Sequence, residues 1–227
     1  MRFALLGSGS EGNALVVQVG DTRILMDCGF SLSETVARLA RLGLSGDSLS
    51  GIVVTHEHGD HIGGVARLAR KFSLPVFLTH GTLRSHRPAF AGLSAVTEIN
   101  AHEAFSIGEV RVQPYPVPHD ASEPVQYVFS DGVRRLGVLT DAGCSTAHIE
   151  ATLAGCEALV LECNHDAEML ANGDYPYGLK QRVGGRFGHL DNRAAAALLA
   201  RLEHARLQHI VAAHLSHKNN TRALAVA

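Results

Sequence analysis

Apolar residues along this chain fall into short runs, each closed by a polar, glycine or proline break. Arg2–Leu6 is the first run. Ala14–Val19 and Arg23–Asp27 follow, and the Gly20-Asp21 pair between them predicts a β-hairpin. Ser31-Leu-Ser-Glu34 fits a capping box, with Ser31 as N-cap and Glu34 three residues on. Leu32, Val36, Leu39 and Leu42 supply the helical stripe behind it. Ile52–Thr55 reads as a short buried strand. Ile62–Lys71 reads as a helix opened by Gly63-Gly64, and Pro75–Thr79 as another strand.

The second half repeats the theme. Glu109–Val117 is a strand ending in a proline-punctuated loop that presents His119. Pro124–Ser130 and Arg134–Thr140 form a second hairpin through Asp131-Gly132. Ala158–Glu162 is a strand, and Asn192–His204 is an alanine- and leucine-rich helix with Asp191 near its cap. Ile210–Ala213 is a last strand leading into His214. Two strand clusters with interspersed helices predict a layered α/β class, with two sheets face to face and helices outside. No repeat or low-complexity linker divides the chain, so residues 1–227 are expected to form a single domain.

Composition narrows the picture. The chain has 227 residues, 46% hydrophobic and only 5% aromatic, which fits a globular domain with aliphatic packing. No apolar stretch has the length to cross a bilayer, so no membrane partner is expected. Met1–Gly7 reads as a first strand rather than an export signal. Cys28, Cys144, Cys156 and Cys163 show no Cys-x-x-Cys spacing and are expected to be free thiols, in keeping with a cytoplasmic protein. The net charge of −2 excludes a global field that would draw the protein to nucleic acid, so any such contact must come from a local patch. Fourteen histidines without a tryptophan are ample for a multi-ligand site.

Residues 55–61 read Thr-His-Glu-His-Gly-Asp-His directly after an apolar strand. Imidazole nitrogens and a carboxylate crowded at a strand end are the donors a borderline cation such as zinc takes, with manganese or iron also compatible. His56, His119, Asp141 and His214 each stand at or near the carboxyl end of a predicted strand, so they can meet at one edge of a packed pair of sheets.

The order His-x-His-x-Asp-His, a later isolated histidine, an aspartate after a strand and a last histidine near the C-terminus resembles the metallo-β-lactamase fold, an αββα sandwich of two mixed sheets flanked by helices. That resemblance implies two divalent metal ions: His56, His58 and His119 on the first, Asp60, His61 and His214 on the second, and Asp141 bridging both. An aspartate rather than a cysteine at position 141 resembles the phosphodiesterase and thioesterase branches. Glu162-Cys-Asn-His165, Gly188-His189-Leu-Asp-Asn192 and His214-Leu-Ser-His-Lys-Asn-Asn220 are similar to the YycJ/WalJ-type metallohydrolases, as are Cys163–Leu170 and Tyr175–Arg182. The same layout resembles tRNase Z. It implies that His189 touches the phosphate and helps protonate the leaving oxygen. Members of the YycJ/WalJ-type group usually continue beyond the His-Leu-Ser element, so a C-terminal extension is expected to be missing here.

What the resemblance implies is a dinuclear phosphodiesterase that attacks phosphorus with a metal-bridging hydroxide. The resemblance further implies a 5′-to-3′ exonuclease, with DNA favoured over RNA and with Asp60 and His189 central to turnover. A small-molecule or cyclic phosphodiesterase stays open as an alternative. A glyoxalase II-type thioester hydrolase uses the same bridging aspartate, though the Gly-His element and the His-Leu-Ser ending argue against it. A non-enzymatic metal module would leave no open coordination position. Substrate contacts are expected from Asn13 in the Ser8–Asn13 loop, His165, Ser216 and a basic rim of Lys180, Arg182, Arg186 and Arg193 around His189. Asp27 is expected to orient a ligand or cap a turn, and Glu57 to give at most a supporting hydrogen bond. His217 competes with His214, which alone ends the strand directly. The remaining histidines are read as ordinary surface residues.

Overall fold

The computed structural model describes residues 1–227. Its first sheet runs β1 (Arg2–Gly7), β2 (Ala14–Val19), β3 (Thr22–Met26), β4 (Gly51–Val53), β5 (Val76–Thr79) and β6 (Val96–Ile99) in sequence order. The hairpin neighbours β1, β2 and β3 pair antiparallel, whereas β3 to β6 are parallel. Parallel pairing demands crossovers, which α1 (Leu32–Ala40), α2 (Gly59–Ile62), α3 (Val65–Phe72) and α4 (His80–Phe90) supply.

The second sheet mirrors this plan. Strands β7 (Phe105–Ile107), β8 (Val110–Pro116), β9 (Val125–Ser130) and β10 (Arg135–Leu139) are antiparallel. Then β11 (Ala158–Glu162) and β12 (His209–Ala213) add in parallel beyond α5 (Ala147–Leu153), α6 (Ala167–Asn172), α7 (Tyr177–Val183) and α8 (Asn192–Arg201).

Side chains alternate across each strand. In β2 and β3, Leu15, Val17, Ile24 and Met26 face Tyr127, Phe129, Leu136 and Val160 of the second sheet, while Val16 and Leu25 face outward under the helices. Because both faces are covered, these strands read as near-continuous apolar runs. A third cluster packs α5 and α8 against the second sheet through Ile149, Leu153, Leu159, Ala195 and Leu198. The αββα sandwich and its α/β class therefore follow from the alternation. Truncating Leu25, which is fully buried, to alanine would cost about 2–5 kcal/mol. The Tyr127 hydroxyl donates to the Val54 carbonyl at 2.7 Å and ties the two sheets beside the histidine cluster.

Several local readings need correction. The expected helix over 62–71 is two helices, because Gly63 and Gly64 interrupt it between α2 and α3. The Ser31 hydroxyl caps α1 by accepting from the Glu34 amide at 3.3 Å, but the Glu34 carboxylate goes to Arg38 at 2.8 Å, so only half of the capping box forms. The helix opened by Asp191 ends at Arg201 rather than His204. Helix α4 does not show in the hydrophobic pattern, and it tolerates Pro88 near its end. Its stripe is weak because six of its eleven residues, His80, Thr82, Arg84, Ser85, His86 and Arg87, are polar or charged.

Candidate metal centre

The carboxyl ends of β3, β4, β10 and β12 meet at one edge of the sandwich, and three of them end in residues with left-handed backbone: Asp27 (φ 60°), Asp141 (φ 52°) and His214 (φ 55°). Non-glycine residues rarely adopt this conformation, and they do so mostly where surrounding structure over-determines them for a functional arrangement. Gly29 lies against the Asp60 carbonyl so closely that a Cβ would collide with it. The Asn13 amide N–H donates to that same carbonyl at 2.8 Å. These contacts seat α2, whose single turn carries Asp60 and His61 beside N-cap His58.

The structure brings together all seven residues assigned to metal binding. His56, His58 and His119 form one cluster, Asp60, His61 and His214 another, and Asp141 joins His56 and His61. Within each cluster the donor atoms lie within 4.8 Å of one another. His58 Nδ1 and His119 Nε2 stand 3.3 Å apart, close to the ligand spacing of about 3.3 Å that tetrahedral bonds near 2.0–2.1 Å impose.

Nearly every ring is fixed from behind. His61 Nδ1 lies 2.8 Å from Asp27 Oδ2, His214 Nδ1 2.8 Å from Glu162 Oε1, His56 Nδ1 2.9 Å from the Thr55 hydroxyl, and His119 Nδ1 3.1 Å from the Gly188 carbonyl. Such partners set the tautomer that leaves the opposite nitrogen free to ligate. His56 Nε2, His214 Nε2 and Asp141 Oδ2 are buried with no hydrogen-bond partner. Orphaned buried donors and acceptors are costly, and a cation among them supplies the missing partner. The donor set therefore fits a pair of divalent metal ions.

Burial works against charge on His61, yet Asp141 and Asp27 outweigh it and push its pKa well above the ordinary value. His214 rises to about 10 against its burial, through Asp141, the nearby Asp60 carboxylate and its hydrogen bond with Glu162. Burial would raise Asp60 and Asp141, but His214 and His61 hold both below the carboxylate range. His56 lies well below its usual value because burial, and then the neighbouring His61, disfavour its charge. His61 Nε2 and Asp141 Oδ2 stand 3.2 Å apart, a spacing that one cation could bridge.

Glu162 carries no role in the sequence beyond its place in a motif. It is fully buried, its Oε1 accepting from His189 Nδ1 at 2.9 Å and from His214 Nδ1, its Oε2 from the Ala142 and Leu190 amides at 3.0 Å. Burial opposes its ionisation, but His189 and His214 bring it down to about 2. Its only sequence signal is a carboxylate closing an otherwise apolar parallel strand. Asp27 takes the orienting role, also accepting from the Thr55 amide and hydroxyl at 2.8 and 2.9 Å. Glu57 turns away from the cluster to accept from Ser122.

A cleft of about 380 Å³ opens over the cluster, lined among others by Ser10, Asp60, Tyr175, Arg182 and His189. Of the residues expected to contact substrate, His189 and Arg182 line it, Arg182 paired with Asp120 at 2.5 Å. Asn13 is buried and spends its amide on Gly9 and Asp60, so it supports the site rather than facing the cleft. His165 and Lys180 line a separate cavity of about 510 Å³, and the Lys180 ammonium donates to the Ala171 carbonyl. Ser216 is buried and accepts from the Asn219 amide. Arg186 and Arg193 are exposed away from the cleft lining.

Comparison with known proteins agrees with this picture. A family model described as the beta-lactamase superfamily domain matches residues 22–211. Exodeoxyribonuclease YycJ of Bacillus anthracis is 36% identical over 99% of this chain and 86% of its own length. Exodeoxyribonuclease WalJ of Streptococcus pneumoniae serotype 2 is 31% identical over 99% of this chain and 85% of its own. The crystal structure of the metallo-beta-lactamase fold protein YhfI from Bacillus subtilis superposes with a TM-score of 0.77 at 17% identity, covering 98% of this chain and 89% of that one.

Proposed function

This chain belongs to the beta-lactamase superfamily, and we propose that it is a dinuclear metal-dependent nuclease that removes nucleotides from DNA in the 5′-to-3′ direction. The observation that carries the reading is the convergence of two donor clusters on Asp141, with buried ligand atoms left without partners beneath an open cleft. Near full-length similarity to two exodeoxyribonucleases supports DNA as the substrate. No helix of the structure is long and apolar enough to cross a membrane.

His56, His58 and His119 would hold one cation, Asp60, His61 and His214 the other, and Asp141 both. Zinc suits this imidazole-rich set, and manganese or iron is compatible with its oxygen donors. Bound there, two divalent cations would make a shared water acidic and offset charge building on the phosphoryl oxygens. The chain's own groups do the rest. Glu162 accepts from His189 Nδ1, which leaves His189 Nε2 to carry a proton toward the leaving oxygen. Arg182 places a guanidinium on the cleft wall, where it attracts a phosphodiester, while Asp120 fixes its direction.

Digestion of end-labelled DNA and RNA by the metal-reconstituted protein, with product length followed over time, tests the reading. Mononucleotides released from the 5′ end of DNA are expected. Inertness toward DNA combined with turnover of cyclic phosphodiesters or thioesters would replace it.

A further inference from the structure

From His61 to Thr97 the chain carries no acidic residue, yet this stretch holds Arg67, Arg70, Lys71, Arg84 and Arg87. The fold gathers them on one outer surface. Val65, Leu68, Ala69 and Phe90 bury the inner faces of α3 and α4 on the first sheet, so helical periodicity sends all five cations to solvent. The Arg70 guanidinium donates to the Ala89 and Ala91 carbonyls at 3.2 and 3.4 Å and binds α3 to the end of α4.

None of the five forms an ion pair. The arginine ion pairs of the molecule involve Arg23, Arg38, Arg182, Arg201 and Arg206. Two carboxylates beside the start of α4 are already engaged, Glu98 by His80 at 2.8 Å and Glu123 by the Gly81 amide at 2.7 Å. Surfaces that serve only solubility mix both signs, and this one does not.

The surface is continuous with the metal centre. Helix α3 starts just past His61. The Ser85 hydroxyl of α4 lies 2.9 Å from that of Ser122, which follows His119 and donates at 2.6 Å to Glu57, between His56 and His58.

We propose that the α3–α4 surface holds the phosphodiester backbone of duplex DNA as it leaves the cleft. The inference rests on the nuclease reading and adds to it the place where the uncleaved part of the substrate lies. Unpaired guanidinium groups match phosphate oxygens. Neither helix exposes a phenyl, phenol or indole ring, since Phe72 is half-buried and Phe90 buried, and the exposed His80 imidazole is tied to Glu98, so an unpaired strand would find little to stack on. The eleven residues of α4 extend about 16 Å, or about five base-pair rises of 3.4 Å.

The test compares the metal-loaded protein with the triple variants R67S/R84S/R87S and R67K/R84K/R87K, sparing Arg70 for its structural bonds. Binding of a blunt duplex with hydrolysis-resistant phosphorothioate linkages is titrated from about 50 to about 200 mM salt. The serine variant should bind more weakly and lower the salt slope by about 0.9 for each phosphate it no longer neutralises. The lysine variant should keep most of both. Equal affinity and slope in the serine variant overturns the proposal, as does a lysine variant that fails as badly as the serine one. Cleavage of unmodified DNA by the unaltered protein is measured alongside. If that protein cleaves DNA while the variants bind equally, the track falls and the nuclease reading stands. If it cleaves no DNA, both fall.

Discussion

Glu162 and His214 are joined by a 2.8 Å hydrogen bond between two residues that are almost wholly buried. The same oxygen also serves His189, so one carboxylate orients a metal-binding candidate and the histidine facing the cleft. All four of its neighbours donate to it. Glu162→Gln must therefore turn an amide N–H₂ against a donor. It should lower metal occupancy at the second position and cut turnover by about 10–100-fold. Metal analysis and kcat together check this, and full occupancy with unchanged kcat would break the link.

Asp60 and His189 should separate cleanly. Asp60→Ala is expected to lose one metal ion per chain and nearly all hydrolysis. His189→Ala should retain both ions and lower kcat by at least about 100-fold, the usual loss of a proton donor. Metal-to-protein ratios and steady-state rates on one DNA substrate distinguish the two, and metal loss in the His189 variant would recast it as a ligand.

Metal binding should release protons. The pKa of His61 is raised well above the ordinary value and that of His214 to about 10, so at neutral pH a cation must displace protons and its affinity should climb with pH. Folded-state values raised above the unfolded one stabilise the metal-free protein below the unfolded pKa of about 6.5. That contribution is lost as pH rises from there through about 10 for His214. Thermal melts of stripped protein across that window should show falling stability, and calorimetry in buffers of different ionisation enthalpy should register the released protons. A pH-independent metal affinity would contradict both.

Gly29→Ala probes how the backbone positions Asp60. Its Cβ would strike the Asp60 carbonyl, and the shift needed to relieve overpacking costs about 1–3 kcal/mol. Tm should fall in the metal-free protein, and metal affinity at the second position should weaken. An unchanged Tm would mean that the α2 turn yields more readily than its packing indicates.

Much of the layout is legible along the chain because its cause is local. Alternation in Leu15–Val17 and Ile24–Met26 reflects two covered faces, and the hairpins about Gly20 and Asp131 follow from turn chemistry. Helix α4 is hidden because its apolar stripe is broken by His80, Arg84, His86 and Arg87, and only docking on the first sheet makes it worthwhile. The substrate contacts divided for a similar reason. Arg182 and Lys180 lie two residues apart on α7, so the helix turns them to different cavities.

By itself, the sequence determined the kinds of side chain present and their attachment to strand ends, since Thr55–His61 is a contiguous motif and His119, Asp141 and His214 each follow a predicted strand. Tertiary structure alone decided which nitrogen of each ring is tied back, that Glu162 and Asp27 do the tying, and that Asn13 and Ser216 are spent on the scaffold. Hydrogen-bond partnership depends on distances of about 3 Å between residues far apart in the chain, and those distances exist only once two sheets have packed and brought their strand ends to one edge.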